Sequence, residues 1–233
     1  MTKLTDAVAT LQAGLSPAEK SNLRTLLTLA ANGFTGGGKQ IVADQAAFDT
    51  AAGLIVDLRD DRAAIREKAF CWRGRPKFLS EADLFELQVD SRAARHAATL
   101  DSMHFVAKAT PRAFVIGSGA DLVGLVSDSA GVVEPTGVVS FIYYDEAGQG
   151  IAPHIDAEQT SVNVIMMLDH YSESTRKSAL ILYLPGREPE RVTLAPGEIV
   201  VFHAGAITHE RERVSSGEKI SLISFGFRPI GIN

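Results

Sequence analysis

Apolar residues recur at helical spacing in two stretches near the N-terminus, residues 5–32 and residues 45–68. Both stretches are rich in Ala, Leu, Glu and Arg, and the spacing predicts amphipathic helices. Ser16 is a predicted helix N-cap, because Glu19 stands at the position that completes a capping box. A further helix start is predicted within residues 80–84. The N-terminal portion of the chain is therefore predicted to be helical.

The pattern changes near Phe114, where short β-branched and aromatic runs begin to alternate with turn residues. Strands this short and this regularly spaced are typical of a β-sandwich or barrel. No Pro- or Ser-rich linker separates the helical region from the β-rich region, so we expect an α+β fold with a mainly β core. Residues 1–110 would form a helical portion that packs on a β-domain of residues 111–233, and we expect the two portions to form one continuous domain. The predicted strands are residues 138–144, 162–168, 179–184, 191–194, 198–202 and 219–227.

Composition places the chain among soluble globular proteins. It has 233 residues, of which 45% are hydrophobic and 22% charged. The net charge is −5 with Lys and Arg scattered, so no nucleic-acid partner is expected. No apolar run reaches the roughly 18 residues of a membrane span, and the N-terminus does not resemble a secretory signal. The single Cys71 is compatible with a reducing cytosol, so a cytoplasmic location without membrane contact is expected, and the sequence does not indicate the oligomeric state.

A Gly-rich stretch, residues 33–40, partly matches a phosphate-binding loop. Such a loop needs Ser or Thr after its Lys to hold magnesium, but Gln40 follows Lys39 here. The loop should also follow a buried strand, whereas residues 23–31 have a helical pattern. We therefore interpret the stretch as a helix C-cap followed by a loop.

Two potential metal ligands follow the predicted strand that ends at Tyr144. His154 and Asp156 are two residues apart, so in an extended segment their side chains point to the same side. A second histidine would complete the set of two His and one carboxylate. That set, with open positions on the metal, marks non-haem iron(II) oxygenases.

The second histidine has two candidates, His203 and His209, which bracket one turn. We favour His209, because the segment that it opens carries the polar residues Arg211 and Arg213 at the same parity. Because of this alternative, the second histidine is the least certain of the three predicted metal ligands.

The last predicted strand opens with a charged residue that shares a face with large apolar groups. Lys219 and Ser221 alternate with the same parity as Ile223, Phe225 and Phe227. Burying an unpaired charge is expensive, so Lys219 would need an anionic partner. That partner would be either a side chain or a bound carboxylate.

The joint pattern resembles the superfamily of iron(II)- and 2-oxoglutarate-dependent oxygenases, especially its prolyl-4-hydroxylase-like branch, over residues 140–227. In that branch a strand ending in Tyr leads through an acidic-Gly-Gln turn to His-x-Asp. A Pro-Gly-acidic turn, an apolar strand ending in Phe, the distal His and a basic residue follow. The corresponding segments here are residues 143–149, His154 with Asp156, residues 196–202, His209 and Lys219.

The resemblance implies a double-stranded β-helix, also called a jelly roll or cupin-like fold, with a helical N-terminal portion. It implies a dioxygenase that uses Fe(II), 2-oxoglutarate and O2, with ascorbate as a further candidate. The expected activity is hydroxylation of an unactivated C–H bond in an amino-acid-like small molecule or a peptidyl residue, with succinate and CO2 as coproducts. The implied residues are His154, Asp156 and His209 for the metal, and Lys219, Ser221 and either Tyr144 or Tyr143 for 2-oxoglutarate.

Several residues depart from the family pattern or leave its assignment open. Most of the superfamily has Arg where Lys219 stands, and Arg211 or Arg213 could bind the 2-oxoglutarate carboxylate instead, or a carboxylate of the substrate. Asp156 occupies a position where iron halogenases have a small residue, which favours hydroxylation or a related oxidation. Arg73 is a candidate for a substrate lid, although a basic, aromatic loop packed on the barrel is the favoured interpretation.

Two alternative functions remain open from the sequence. A cupin-type metalloenzyme would keep the three metal ligands but would have no need of 2-oxoglutarate. A non-catalytic β-barrel binding module would use the histidines structurally and would hold no stoichiometric iron.

Overall fold

The computed structural model describes residues 3–34, 45–57, 65, 69–184 and 187–230. The α-helices are α1 (Lys3–Ala13), α2 (Pro17–Phe34), α3 (Gln45–Asp57), α4 (Glu81–Ala94), α5 (Pro111–Ser118) and α6 (Ala120–Ala130). The first five strands are β1 (Trp72–Gly74), β2 (Thr99–Asp101), β3 (His104–Lys108), β4 (Val133–Tyr144) and β5 (Ile151–His154). The remaining strands are β6 (Val162–Tyr171), β7 (Leu180–Tyr183), β8 (Glu190–Val192), β9 (Ile199–Phe202), β10 (Thr208–Arg211) and β11 (Lys219–Pro229).

The strands form two antiparallel sheets. The larger sheet has seven strands in the order β1-β9-β6-β11-β4-β3-β2, and the smaller has four in the order β5-β10-β7-β8. One apolar core contains residues of both sheets, including Tyr144 and Leu222 from the larger and Leu180 and Leu182 from the smaller. The architecture confirms the predicted double-stranded β-helix with a mainly β core.

The larger sheet is buried on both faces, and this explains its nearly continuous apolar strands. Phe141 and Ile223 belong to a second core, which includes Leu87 of α4, Ala113 of α5 and Leu122 of α6. Residues of the opposite parity belong to the core shared by the two sheets. The parity of β4 and β11 therefore separates a helix-facing side from a side that faces the smaller sheet.

The predicted helix starts are present. The Ser16 hydroxyl accepts from the Glu19 amide at 3.4 Å while the Glu19 carboxylate accepts from the Ser16 amide at 2.9 Å. A reciprocal capping box joins Ser80 and Asp83 at the start of α4. The loop predicted after residue 34 lies outside the described residues, as does most of the predicted helical stretch beyond residue 57.

Strands and helices alternate along the chain more than the hydrophobic patterns of the sequence predict. The strands β1, β2 and β3 join the larger sheet from within residues 1–110, while α5 and α6 lie within residues 111–233. Strands of three to five residues leave too short a run for period-two alternation to be recognised. Among the described helices, none alone is long and apolar enough to span a membrane; together, the bent pair α5 and α6 meets that test by length and composition.

Candidate metal centre

Three side chains with metal-binding atoms converge at one end of the space between the sheets. His154 ends β5, Asp156 follows it in the next loop, and His209 lies on β10 directly opposite His154. The Asp156 Oδ1 atom is 3.4 Å from His154 Nε2 and 3.5 Å from His209 Nε2. One ligand atom from each residue lies within 4.8 Å of the others, which fits a single shared ion. The structure thus brings together the three residues predicted as metal ligands, and places His209 rather than His203 among them.

The backbone sets the orientation of both imidazole rings. His154 Nδ1 lies 2.8 Å from the carbonyl oxygen of Ala152, and His209 Nδ1 lies 2.9 Å from that of Ile207. A carbonyl only accepts hydrogen bonds, so each Nδ1 must carry the proton. The lone pair of each neutral ring then lies on Nε2, the atom that faces Asp156, and this is the arrangement that a metal requires.

The charges within the triad also suit a cation. Burial raises the pKa of Asp156, but His209 and His154 outweigh burial and hold the pKa well below its usual range. Burial, helped by the neighbouring His154, lowers the pKa of His209. Burial opposes charge on His154 too, yet the hydrogen bond to Asp156 raises the pKa of this residue. An ionised carboxylate and a neutral His209 are therefore available, while a proton and a metal compete for His154.

A hydrogen-bonded pair behind the triad orients the carboxylate. The Asn163 amide donates from Nδ2 to Asp156 Oδ2 at 3.0 Å, and its own Oδ1 accepts from the Ser224 hydroxyl at 2.9 Å. Oδ2 is thereby occupied, and Oδ1 is left facing the two histidines. The sequence analysis missed Asn163, although a single amide within the apolar run of β6 is the kind of signal that marks such a residue.

A cavity of about 260 Å³ extends from the triad between the two sheets. Its walls are mainly apolar and come from both sheets, with Ile142, Ile165 and Leu222 on the larger and Leu180 and Val192 on the smaller. The polar side chains that line it beyond the triad include His104, Tyr144, Asn163, Arg211 and Ser224. An apolar cavity with a few convergent polar groups is the usual form of a small-molecule site.

Arg211 is a buried cation in this cavity, two residues after His209. Its side chain is only 6% exposed, and Nη2 donates to the backbone oxygen and to the hydroxyl of Ser178, both at 3.0 Å. Nε has no hydrogen-bond partner among the described residues, and Cζ lies 5.7 Å from the centre of the Tyr144 ring. Burial lowers the pKa of Arg211, partly opposed by Tyr144 and Glu218. An anion bound in the cavity would compensate this charge.

Lys219 and Ser221 lie away from the cavity, contrary to the sequence-based expectation. Lys219 is exposed at the start of β11. Ser221 shares its parity and hydrogen-bonds with Asp169, on the side of the sheet that faces the helices. The cavity instead receives the alternate residues Leu222 and Ser224 of β11. The cation in the cavity is therefore Arg211, one of the two alternatives that the sequence left open.

The two adjacent tyrosines are separated in the same way. The Tyr144 ring lines the cavity, whereas the Tyr143 hydroxyl donates to the backbone oxygen of Ser91 in α4 at 2.8 Å, on the opposite face of the sheet. Of the three arginines considered for the substrate, Arg211 lines the cavity and the other two lie outside its lining. Arg213 is exposed, and Arg73 is exposed on β1 with its guanidinium donating to the Thr193 carbonyl.

The chain therefore combines a double-stranded β-helix with a candidate metal site of two His and one Asp at the end of an apolar cavity. No family model matches the sequence, and no curated protein matches it. Similarity is instead found among solved structures of iron- and 2-oxoglutarate-dependent oxygenases.

One such structure is the non-haem alpha-ketoglutarate-dependent epimerase SnoN from nogalamycin biosynthesis, with 13% identity over 72% of this chain and 80% of SnoN and a TM-score of 0.59. A Pseudomonas putida prolyl-4-hydroxylase has 18% identity over 72% of this chain and 99% of its own, with a TM-score of 0.53. HygX from Streptomyces hygroscopicus, bound to nickel and 2-oxoglutarate, has 9% identity over 74% of this chain and 87% of HygX, with a TM-score of 0.58. At these identities the likeness shows a shared fold.

Proposed function

We propose that the protein is an Fe(II)- and 2-oxoglutarate-dependent dioxygenase that hydroxylates a C–H bond of a small molecule or a peptidyl residue. The observation that carries the proposal is the buried, incompletely paired Arg211 in the same cavity as the His154, Asp156 and His209 triad. A metal site alone would fit many chemistries. A metal site and a buried cation in one cavity fit a ligand that has a chelating end and an anionic end.

In this proposal the three triad residues hold the iron through His154 Nε2, His209 Nε2 and an oxygen of Asp156. With only three protein ligands, the site would leave room on the metal for 2-oxoglutarate. When bound, iron with 2-oxoglutarate and O2 supplies the oxidising power, with succinate and CO2 as coproducts. The chain's own residues fix the ligand geometry and exclude water from the apolar cavity.

Arg211 binds the distal carboxylate of 2-oxoglutarate in this assignment, and the Tyr144 ring forms the adjacent wall. The guanidinium is planar and offers several N–H donors, so it suits a carboxylate better than an ammonium group does. Nη2 of Arg211 already donates hydrogen bonds to the backbone oxygen and the hydroxyl of Ser178. This hydrogen bonding fixes the guanidinium before the ligand arrives, which reduces the entropy lost on binding.

The solved neighbours are described with different activities and small-molecule ligands. SnoN is described as an epimerase and has been solved with Fe3+, alpha-ketoglutarate and nogalamycin RO, while HygX has been solved with hygromycin B. We favour hydroxylation here because Asp156 supplies the third ligand, with no small residue that would leave space for a halide. We propose a small molecule or a single peptidyl residue as the substrate, since the cavity has a volume of about 260 Å³.

Anaerobic titration tests the cosubstrate assignment directly. The Fe(II)-loaded protein should develop a metal-to-ligand charge-transfer band on addition of 2-oxoglutarate, and the Asp156→Ala variant should not. Free amino acids and proline peptides can then be screened for stimulated succinate release. A protein that binds iron tightly but gives no band would instead be a cupin-type enzyme that does not use 2-oxoglutarate. The binding-module alternative predicts no stoichiometric iron at all.

A further inference from the structure

Buried polar side-chain atoms without a hydrogen-bond partner are few among the described residues, and two of them line the same cavity. The atoms are Arg211 Nε, His104 Nδ1 and Ser161 Oγ, and the first two belong to cavity-lining residues. A buried polar group that stays unpaired is destabilising, so such a group in a cavity points to a contact with a ligand or with water. Arg211 is accounted for by the proposed carboxylate, and His104 is not.

His104 lies on β3, beside Tyr144 of β4. The pairing of Phe105 with Tyr143 sets the register, so His104 and Tyr144 lie side by side on the face that lines the cavity. Their rings stack with centroids 5.6 Å apart and planes at 29°. The Tyr144 ring is thus close both to His104 and to the Arg211 guanidinium.

His104 is also close to the metal site. Burial is the main cause that lowers the pKa of His104, and the charge of His154 adds to it while Asp101 opposes it. The ring is therefore predominantly neutral near pH 7 and carries one N–H donor. A ligand that extends from Arg211 along Tyr144 to the metal would pass this wall of the cavity.

We propose that His104 Nδ1 donates a hydrogen bond to a carboxylate oxygen of bound 2-oxoglutarate. Two unpaired polar groups in one cavity match a short dicarboxylate, which has acceptor oxygens at both ends. This inference rests on the proposed function, because it assigns His104 to the same cosubstrate. It makes His104 a binding residue in addition to the metal triad and Arg211.

A pair of variants separates the hydrogen bond from the ring stacking. His104→Phe keeps an aromatic ring against Tyr144 but removes both nitrogens, whereas His104→Asn keeps an N–H donor close to the position of Nδ1. His96→Phe is the matched control, since His96 is exposed on the short 3-10 helix after α4. Protein loaded with Mn(II) is used, because calorimetric titration with 2-oxoglutarate then reports binding without turnover.

The affinity for 2-oxoglutarate should fall about tenfold to a hundredfold in His104→Phe, as expected for losing a hydrogen bond to a charged acceptor. His104→Asn should recover most of the affinity, and His96→Phe should match the wild type. The Mn(II) affinity, measured separately, should be unchanged in all three variants. In the wild type, the 15N signal of His104 Nδ1 should shift when 2-oxoglutarate is added to protein loaded with diamagnetic Zn(II).

An unchanged affinity for 2-oxoglutarate in His104→Phe would overturn the assignment. If only the KM for the organic substrate rose, His104 would contact that substrate instead of 2-oxoglutarate, and the assignment would also be overturned. A parallel loss of Mn(II) affinity would show a structural role and would also overturn it. If the wild-type protein itself fails to bind 2-oxoglutarate, the proposed function fails, so the two failures are distinguishable.

Discussion

Asn163 donates a hydrogen bond to Asp156 at 3.0 Å and accepts one from Ser224 at 2.9 Å. The amide is therefore fixed from both ends, because the donor and the acceptor of the side chain are both used. This fixes which carboxylate oxygen of Asp156 faces the histidines. The orientation of a candidate metal ligand is thus set by residues on β6 and β11, away from the segment that carries the His-x-Asp motif.

The variant Asn163→Ala should weaken metal binding about 10- to 100-fold, which is the usual effect of losing a partner that orients a metal ligand. Calorimetric titration with Mn(II) measures the change. The exposed Asn22 of α2 offers a matched control, because Asn22→Ala removes an amide of the same kind from the surface. Equal Mn(II) affinities of Asn163→Ala and the wild type would show that Asp156 needs no such support.

The two basic residues considered for 2-oxoglutarate can be compared with the same substitution. Arg211→Met should weaken 2-oxoglutarate binding by about 30-fold or more, since removing one partner of a buried charge pair costs at least about 2 kcal/mol. Lys219→Met should leave binding unchanged, because Lys219 is exposed and lies outside the cavity lining. Titration of the Mn(II)-loaded variants measures both. The reverse ranking would restore Lys219 as the anchor.

The metal triad could be predicted from sequence because its members follow local rules. Residues two apart in an extended segment share a side, which joined His154 to Asp156. The parity of His209 with Arg211 favoured the histidine that the structure brings next to Asp156, and it also placed Arg211 among the alternatives to Lys219 for the cation. These relationships depend on one strand at a time, and a single strand can be read from its own alternation.

Alternation along β11 could not predict which of its two faces lines the cavity next to the candidate metal site. Alternation shows correctly that Lys219 and Ser221 share a face with Phe225, but it does not say what that face packs against. Both faces of β11 are buried, one under the helices and one against the smaller sheet. The apolar content is thus similar on both, and only the three-dimensional arrangement assigns Leu222 to the cavity. His104 was missed because β3 is short and gives no clear alternation.

Glu218 is predicted to make the protein sensitive to acid. This carboxylate is 2% exposed and accepts hydrogen bonds from His170 and from Ser178 at 2.7 Å and from the Ser215 amide at 3.0 Å. Burial opposes ionisation, but these donors outweigh it and lower the pKa of Glu218 from 4.5 to about 2. The folded-state pKa lies below the unfolded one, so the stabilisation is present above pH 4.5 and is lost as the pH falls towards 2.

That difference in pKa corresponds to about 3 kcal/mol of stability at neutral pH. Glu218→Gln should therefore lower the free energy of unfolding at pH 7 and flatten its dependence on pH between about 5 and 2. Urea denaturation at a series of pH values measures both. Glu173→Gln, at an exposed carboxylate, should keep the wild-type slope. Parallel pH profiles of Glu218→Gln and the wild type would contradict the assignment.

Metal binding should stabilise the folded protein, because the three ligands converge only in the folded chain. With Mn(II) at about 100 times its Kd, mass action predicts about 2.7 kcal/mol of added stability. For a chain of this size this corresponds to a rise in Tm of roughly 5 to 10 °C. Differential scanning calorimetry with and without Mn(II) measures the shift.

His209→Ala should abolish that shift in Tm, since it removes one ligand of the three. In the wild type the shift should shrink as the pH falls, because protonation of His154, whose pKa is, despite burial, raised by the hydrogen bond to Asp156, competes with the metal. The exposed His96 serves as control, and His96→Ala should keep the full shift. A His209→Ala protein with the wild-type shift would place the stabilising ion elsewhere in the chain, and the triad would then not be the metal site.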